Sequence, residues 1–412
     1  SYSDPTGEAV LEEMSFIYIH GGAFSLCDSG DLLVCERLIP QIQKYTGAKK
    51  VTMYSVLYTL ATPDQSATFP MVHAEILRSY DAVVGHLKRF GKGNVVALVG
   101  DSAGANLCYC LAMQLLHRNE SDVHTPALAL ISPWLHLAND QYRELLKKDE
   151  YKHDILSWEF IRRSKINYFG PTGYPPTTAS VEIGMSSLPS FCINPWETQA
   201  DSPLVQNLPS IYCVAGTREM LVEEIVEFWS SRLALQPDDP EVAESKKEHK
   251  KHKKKHNKVT FSEQQVGAGG SRRARRQFSL VEDEIHAFPL FWQHPVRRLL
   301  GPFNLHWLFE LLYPVPNVVS TMATEGAMAS TSPRSPLLTP NTPGEVERAS
   351  IWKDVSTPRK SSDVSNPMTP GFLSHSQAIS KEPAGHRVDS IKANTAIEEI
   401  ARFISDEYEA ML

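Results

Sequence analysis

Two hydrophobic periods alternate along the chain. Short runs of consecutive apolar, often β-branched residues recur at Ser15–Ile19, Val51–Leu57, Asn94–Val99, Ala127–Ser132, Ile211–Ala215 and Phe278–Val281. Each has the length and composition of a strand buried on both faces. Segments with helical spacing lie between them: Leu32 to Tyr45, and Met71 to Phe90 with Ile76, Leu77, Tyr80, Val83, Val84 and Leu87 on its apolar side. Ala105 to Leu116 follows the third strand directly, and Met220 to Leu233 follows the fifth. Alternation of this kind predicts an α/β fold, a mostly parallel sheet with helices on both faces. Near the end, Ile397, Ile400, Ala401 and Ile404 form an i, i+3, i+4, i+7 stripe, which predicts a helix docked on that sheet.

Two stretches break the pattern. Residues 237–276 are polar and strongly basic, with eight lysines and three histidines between Lys246 and Lys258. Residues 317–390 are rich in Ser, Thr and Pro and poor in large apolar side chains. Such compositions bury too little surface to offset their ordering entropy, so both are expected as disordered insertions. The expected organisation is a first core part over 1–135, a helical cap or lid over 136–200, core again over 201–236 and the basic insertion over 237–276. A further core segment follows over 277–316, then the Ser/Thr/Pro-rich region over 317–390 and a terminal core helix over 391–412.

Composition narrows the class. Hydrophobic content of 42%, charged content of 22% and a net charge of −7 fit a globular protein and give no sign of a nucleic-acid binder. The six cysteines are scattered without disulfide or metal-ligand spacing, so reduced thiols and an intracellular, cytoplasmic location are expected. No apolar run approaches the roughly 18 residues of a spanning helix. The chain starts without Met, which suggests a fragment whose targeting segment is absent.

The chemistry centres on Gly100-Asp101-Ser102-Ala103-Gly104, a G-x-S-x-G set between a strand and a helix. That setting is a nucleophile elbow: a strained turn lifts the serine hydroxyl to the carboxyl end of the sheet, and the glycines relieve crowding on either side. A serine needs a base, and the base needs an orienting acid. His286 is the best base, because it follows a final strand and falls at the same sheet end as Ser102. Glu219, just after the Ile211–Ala215 strand, is the best acid, with Glu223 and Glu224 as alternatives one turn further on. His20-Gly21-Gly22-Ala23 follows the first strand, where the N–H groups of Gly21, Gly22 and Ala23, joined by that of Ala103, can hold a developing oxyanion.

Together these residues resemble the hormone-sensitive lipase-like (GDXG) family of α/β-hydrolases. The resemblance also rests on Phe24, Ala105-Asn106, Ser132-Pro133-Trp134, Tyr58-Thr59-Leu60-Ala61-Thr62-Pro63 and Ile285-His286-Ala287-Phe288. It spans residues 14–235, 277–292 and the last helix, and the long insertions are most like fungal members. Three positions depart from the family pattern. Ala23 replaces the third glycine of the oxyanion loop. The family's triad Asp falls at Arg218, beside Glu219. The family's first strands and N-terminal cap helices are missing. The resemblance implies cleavage of a carboxylic ester, small or lipid, through an acyl-serine intermediate, with no metal or cofactor. The alternative is a non-catalytic ligand-binding or scaffold member of the family, against which the retention of His286 argues.

Other motifs suggest regulation and surface binding. Arg272-Arg273-Ala274-Arg275-Arg276-Gln277-Phe278-Ser279 suits a basophilic protein kinase acting at Ser279, and Ser335-Pro336, Thr339-Pro340, Thr342-Pro343 and Thr369-Pro370 suit proline-directed kinases. Phe288, Phe291, Trp292, Phe303, Trp307, Phe309 and Tyr313 sit among leucines, a pattern that fits core packing or, with the lysine run, a peripheral contact with a membrane or lipid-droplet surface.

Overall fold

A computed structural model describes residues 13–233 with gaps at 28–31, 63–67, 119–124, 146, 150, 152–153, 176–179, 184–185 and 191–192, together with 259–263, 274–282, 284, 286–287 and 384–411. All of them belong to one compact unit formed by residues 1–314 and 382–412. The second unit, 315–381, the aromatic segment from Phe288 and the lysine run lie outside the described residues.

The strands are β1 (Glu13–Ile19), β2 (Lys50–Val56), β3 (Val95–Asp101), β4 (Ala127–Ile131), a hairpin of β5 (Ser180–Ile183) and β6 (Ser186–Pro189), then β7 (Ile211–Gly216), β8 (Val259–Glu263) and β9 (Arg276–Val281). The helices are α1 (Leu32–Thr46), α2 (Met71–Arg89), α3 (Ala103–Arg118), α4 (Tyr142–Leu145), α5 (Trp158–Phe169), α6 (Pro203–Gln206), α7 (Val222–Glu227) and α8 (Ala384–Met411). The main sheet runs β2-β1-β3-β4-β7-β9-β8. Its first six strands are parallel, and β8 adds an antiparallel edge to β9. Strand order reverses between β1 and β3, since the chain goes outward to β2 and returns to the other side of β1. A crevice opens outside the carboxyl ends of the strands at such a switch point, and ligands bind there in open α/β sheets.

Alternation along the strands sends side chains to two cores. From β1, Met14, Phe16 and Tyr18 join α1 and α8 on one face, while Ile17 and Ile19 join α2 and α3 on the other. The predicted stripe is buried as expected: Ile397 is 3% exposed and Ile400, Ala401 and Ile404 are 0%. The helix is longer than its stripe, however. It starts at Ala384, so the stretch expected to be disordered up to 390 is helical at its end. The basic stretch 237–276 likewise contributes β8, along which the sequence alternates apolar Val259 and Phe261 with polar Thr260 and Ser262. The segment 136–200 shares the main core, burying Tyr142, Ile161, Tyr168 and Ile193 with the sheet's side chains. After β7, the single predicted helix is divided. α7 ends at Glu227, and Phe228–Arg232 continue as a π-helix that keeps both Phe228 and Trp229 buried.

Ile400→Ala, which empties a fully buried site, is expected to lower unfolding free energy in urea by about 2–5 kcal/mol. Glu409→Ala, on the exposed side of the same helix, is expected to change it by no more than about 0.5 kcal/mol.

Candidate active site

Ser102 occupies the first turn after β3 with φ at 52°, a left-handed conformation that side chains other than glycine rarely adopt. Backbone bonds hold it there: Ser102 N donates to Ile131 O at 2.8 Å, and Ser102 O accepts from Asn106 N at 3.2 Å and Trp134 N at 3.1 Å. The elbow glycines are set by contact. A Cβ on Gly100 would lie 2.7 Å from the Gly104 carbonyl, and one on Gly104 would lie 2.0 Å from Ile19 O at the end of β1.

The oxyanion loop starts at that same strand end. Ala23 and Phe24 have φ of 53° and 62°, and Phe24 stacks on Tyr168 of α5 with ring centroids 3.9 Å apart. Tyr58 stacks on His20, and its hydroxyl donates to His20 O at 2.9 Å. Asp101 ties the loop to the elbow: its Oδ1 accepts from Gly21 N at 3.0 Å and from the Tyr18 hydroxyl at 2.7 Å. The Gly21 N–H is therefore occupied, and Gly21 is removed from the set of expected oxyanion donors. The N–H groups of Gly22 and Ala23 make no hydrogen bond among the described residues.

The loops that carry His286 and Glu219 are joined at the ends of β9 and β7. Thr217 N donates to Val281 O at 3.0 Å and Arg218 N to Glu284 O at 2.8 Å, which draws the two loops together. Ser132, at the end of β4, links them further: its hydroxyl donates to Glu219 Oε2 at 2.6 Å and accepts from Ala287 N at 2.9 Å. Glu219 Oε2 also accepts from Gly216 N at 3.0 Å. Among the described residues, Glu219 Oε1 and His286 Nδ1 are both buried without a hydrogen-bond partner. These are the atoms that an acid-to-base hydrogen bond would join. The alternative acids face elsewhere. Glu223 pairs with Lys148 and Tyr151 on the outside, and Glu224 accepts from Leu135 N, His136 N and the Tyr142 hydroxyl. No hydrogen bond joins Ser102 Oγ to His286 among the described residues.

A sequence model of the α/β-hydrolase fold matches residues 16–251. The chain belongs to the α/β-hydrolase fold family. No curated protein matches it closely enough to be reported as a relative. Among solved structures, a carboxyl esterase 2 from the mycorrhizal fungus Tuber melanosporum is 16% identical, with a TM-score of 0.44 over 72% of this chain and 78% of that one. A hyperthermophilic esterase from the archaeon Pyrobaculum calidifontis is 17% identical, with a TM-score of 0.43 over 74% and 79%. A hormone-sensitive lipase from a metagenome library is 18% identical, with a TM-score of 0.41 over 72% and 75%.

Within this α/β-hydrolase, burial dominates the electrostatics of the site. It pushes Glu219 and Glu224 up to about 8 and Asp154 up to about 6, and it lowers His286 to about 3, so the imidazole rests neutral. Among the described residues no group of three or more His, Cys, Asp or Glu side chains could hold a metal ion. Ser279 is corrected as a kinase site. It lies inside β9, paired with Val214, and is 0% exposed, so a kinase cannot reach its hydroxyl in the folded protein. Sequence reasoning missed Ser132 and Asp154. The Ser-Pro-Trp motif pointed near Ser132, whereas nothing local pointed to Asp154.

The folded value of Glu224 stands above its ordinary 4.5, so its proton favours the folded state. That stabilisation is complete below about 4.5 and is lost as pH rises toward 8. Glu224→Gln is therefore expected to gain on the wild type in urea midpoint between pH 5 and 8; a constant difference between the two proteins would contradict the assignment.

Proposed function

We propose that the protein is a serine hydrolase that cleaves carboxylic esters through an acyl-serine intermediate. The observation that carries this reading is the strained Ser102, raised on its elbow beside an oxyanion loop that Asp101 fixes to the same turn. Ser102 Oγ attacks the ester carbonyl carbon while the neutral His286 takes its proton. The oxygen that becomes negative accepts hydrogen bonds from the N–H groups of Gly22, Ala23 and Ala103. Collapse breaks the bond to the alcohol, which leaves with the proton held by His286. Water, deprotonated by His286, then attacks the acyl-serine and frees the acid. Glu219 orients the imidazole and stabilises its charged form.

The substrate class is a small or lipid ester. Attachment to a membrane or lipid-droplet surface through the aromatic segment and lysine run, and phosphorylation at the Ser/Thr-Pro pairs, belong to the same reading, as does an intracellular, cytoplasmic setting. Among the described residues no helix is long and apolar enough to cross a membrane.

Ser102→Ala is expected to lower kcat/KM on p-nitrophenyl acetate by about 10⁴-fold or more with the fold intact; activity within tenfold of wild type would refute the nucleophile. Because burial holds Glu219 near 8, its anion forms only in weak alkali. The wild-type kcat/KM is therefore expected to climb between pH 7 and 9, and Glu219→Gln to flatten that rise.

A further inference from the structure

The segment before α5 sends one carboxylate to both halves of the acid–base pair. Asp154 is 2% exposed. Its Oδ1 accepts from His286 N at 3.1 Å and its Oδ2 from Met220 N at 2.7 Å, across 132 and 66 positions of chain. A third bond, from Ile155 N at 2.7 Å, is local and shapes the turn that leads to the helix cap at Ser157. The two distant bonds end on the base itself and on the residue next to the acid. They grip backbone only, and leave the imidazole Nδ1 and Glu219 Oε1, both buried and without a hydrogen-bond partner among the described residues, available to each other. Burying a carboxylate is costly unless it is hydrogen-bonded, and the amide N–H groups of Met220, His286 and Ile155 offset part of that cost. A turn-forming residue alone would need only the local bond.

We propose that Asp154 is a positioning residue that clamps the loop of His286 to the loop of Glu219 and so fixes the imidazole between acid and nucleophile. This rests on the reading of Ser102, His286 and Glu219 as the triad. Asp154 touches neither substrate nor reacting atoms; its influence runs through His286. Ser102, its elbow and the oxyanion loop are anchored by other bonds, to Ile131, Trp134 and Asp101. Removing the clamp should leave ester binding in place and misplace the base, and a misplacement of about 1 Å can cost roughly 10²-fold in rate.

The test uses the full chain with p-nitrophenyl acetate. Asp154→Asn turns one acceptor into a donor that faces an amide N–H. It is expected to lower kcat about 10–100-fold with KM within about twofold, and to shift the pH dependence of kcat. In a His286→Ala background the same substitution should change the residual rate by less than about twofold, because the group it positions is gone. If Asp154→Asn does not fold, Asp154→Glu keeps both oxygens but displaces them by one methylene, and the same two results are expected of it. Wild-type kcat in a folded Asp154 variant would overturn the proposal, and so would an equal loss in the His286→Ala background. Failure of the triad reading is separate: Ser102→Ala would then retain activity whatever Asp154 does.

Discussion

The close contact between α3 and the end of β1 is the constraint on which the site depends. No side chain fits between Gly104 and Ile19 O, so the helix starts against the sheet itself. The chain must leave β3 through a turn tight enough to hold Ser102 at positive φ. The same contact puts the first residues after β1 beside the nucleophile, and Asp101 then bonds the two segments together. Nucleophile and oxyanion loop are thus one mechanical unit at the point where strand order reverses. Strain at such a turn persists because the surroundings over-determine it.

The other half of the site is assembled from distant loops. Ser132 and Asp154 each carry bonds from the acid side to the histidine side, one through a hydroxyl and one through a carboxylate. Among the described residues no ion pair reaches these carboxylates, and burial raises them and keeps the imidazole neutral. Hydrogen bonds to the backbone, not ion pairs, make this tolerable. A neutral imidazole is the form that can accept the serine proton.

Much of this was legible in the sequence, and the limits are physical. Parallel strands buried on both faces are apolar runs, so β3, β4 and β7 stood out directly. Ser102 stood out because an elbow needs small residues at fixed offsets, and the stripe through Ile400 because a docked helix needs one apolar side. Asp154 was invisible: its partners are amide groups, which every residue carries, and they lie far away in the chain. Ser279 misled for the opposite reason, since a kinase motif is local while burial is decided by the neighbouring strand. β8 was hidden by the lysines beside it, although Val259 and Phe261 carry a strand's alternation. The Gly21 N–H looked available until the carboxylate that occupies it could be seen.

The central claim is that Ser102 is an activated nucleophile within an α/β-hydrolase fold. Reaction of the native full chain with a fluorophosphonate, followed by mass mapping of the modified peptide, tests it most directly. A single phosphonyl adduct on Ser102, absent when the protein is first unfolded, is the predicted result. An unlabelled Ser102 in folded protein, or an adduct on another serine, would contradict it.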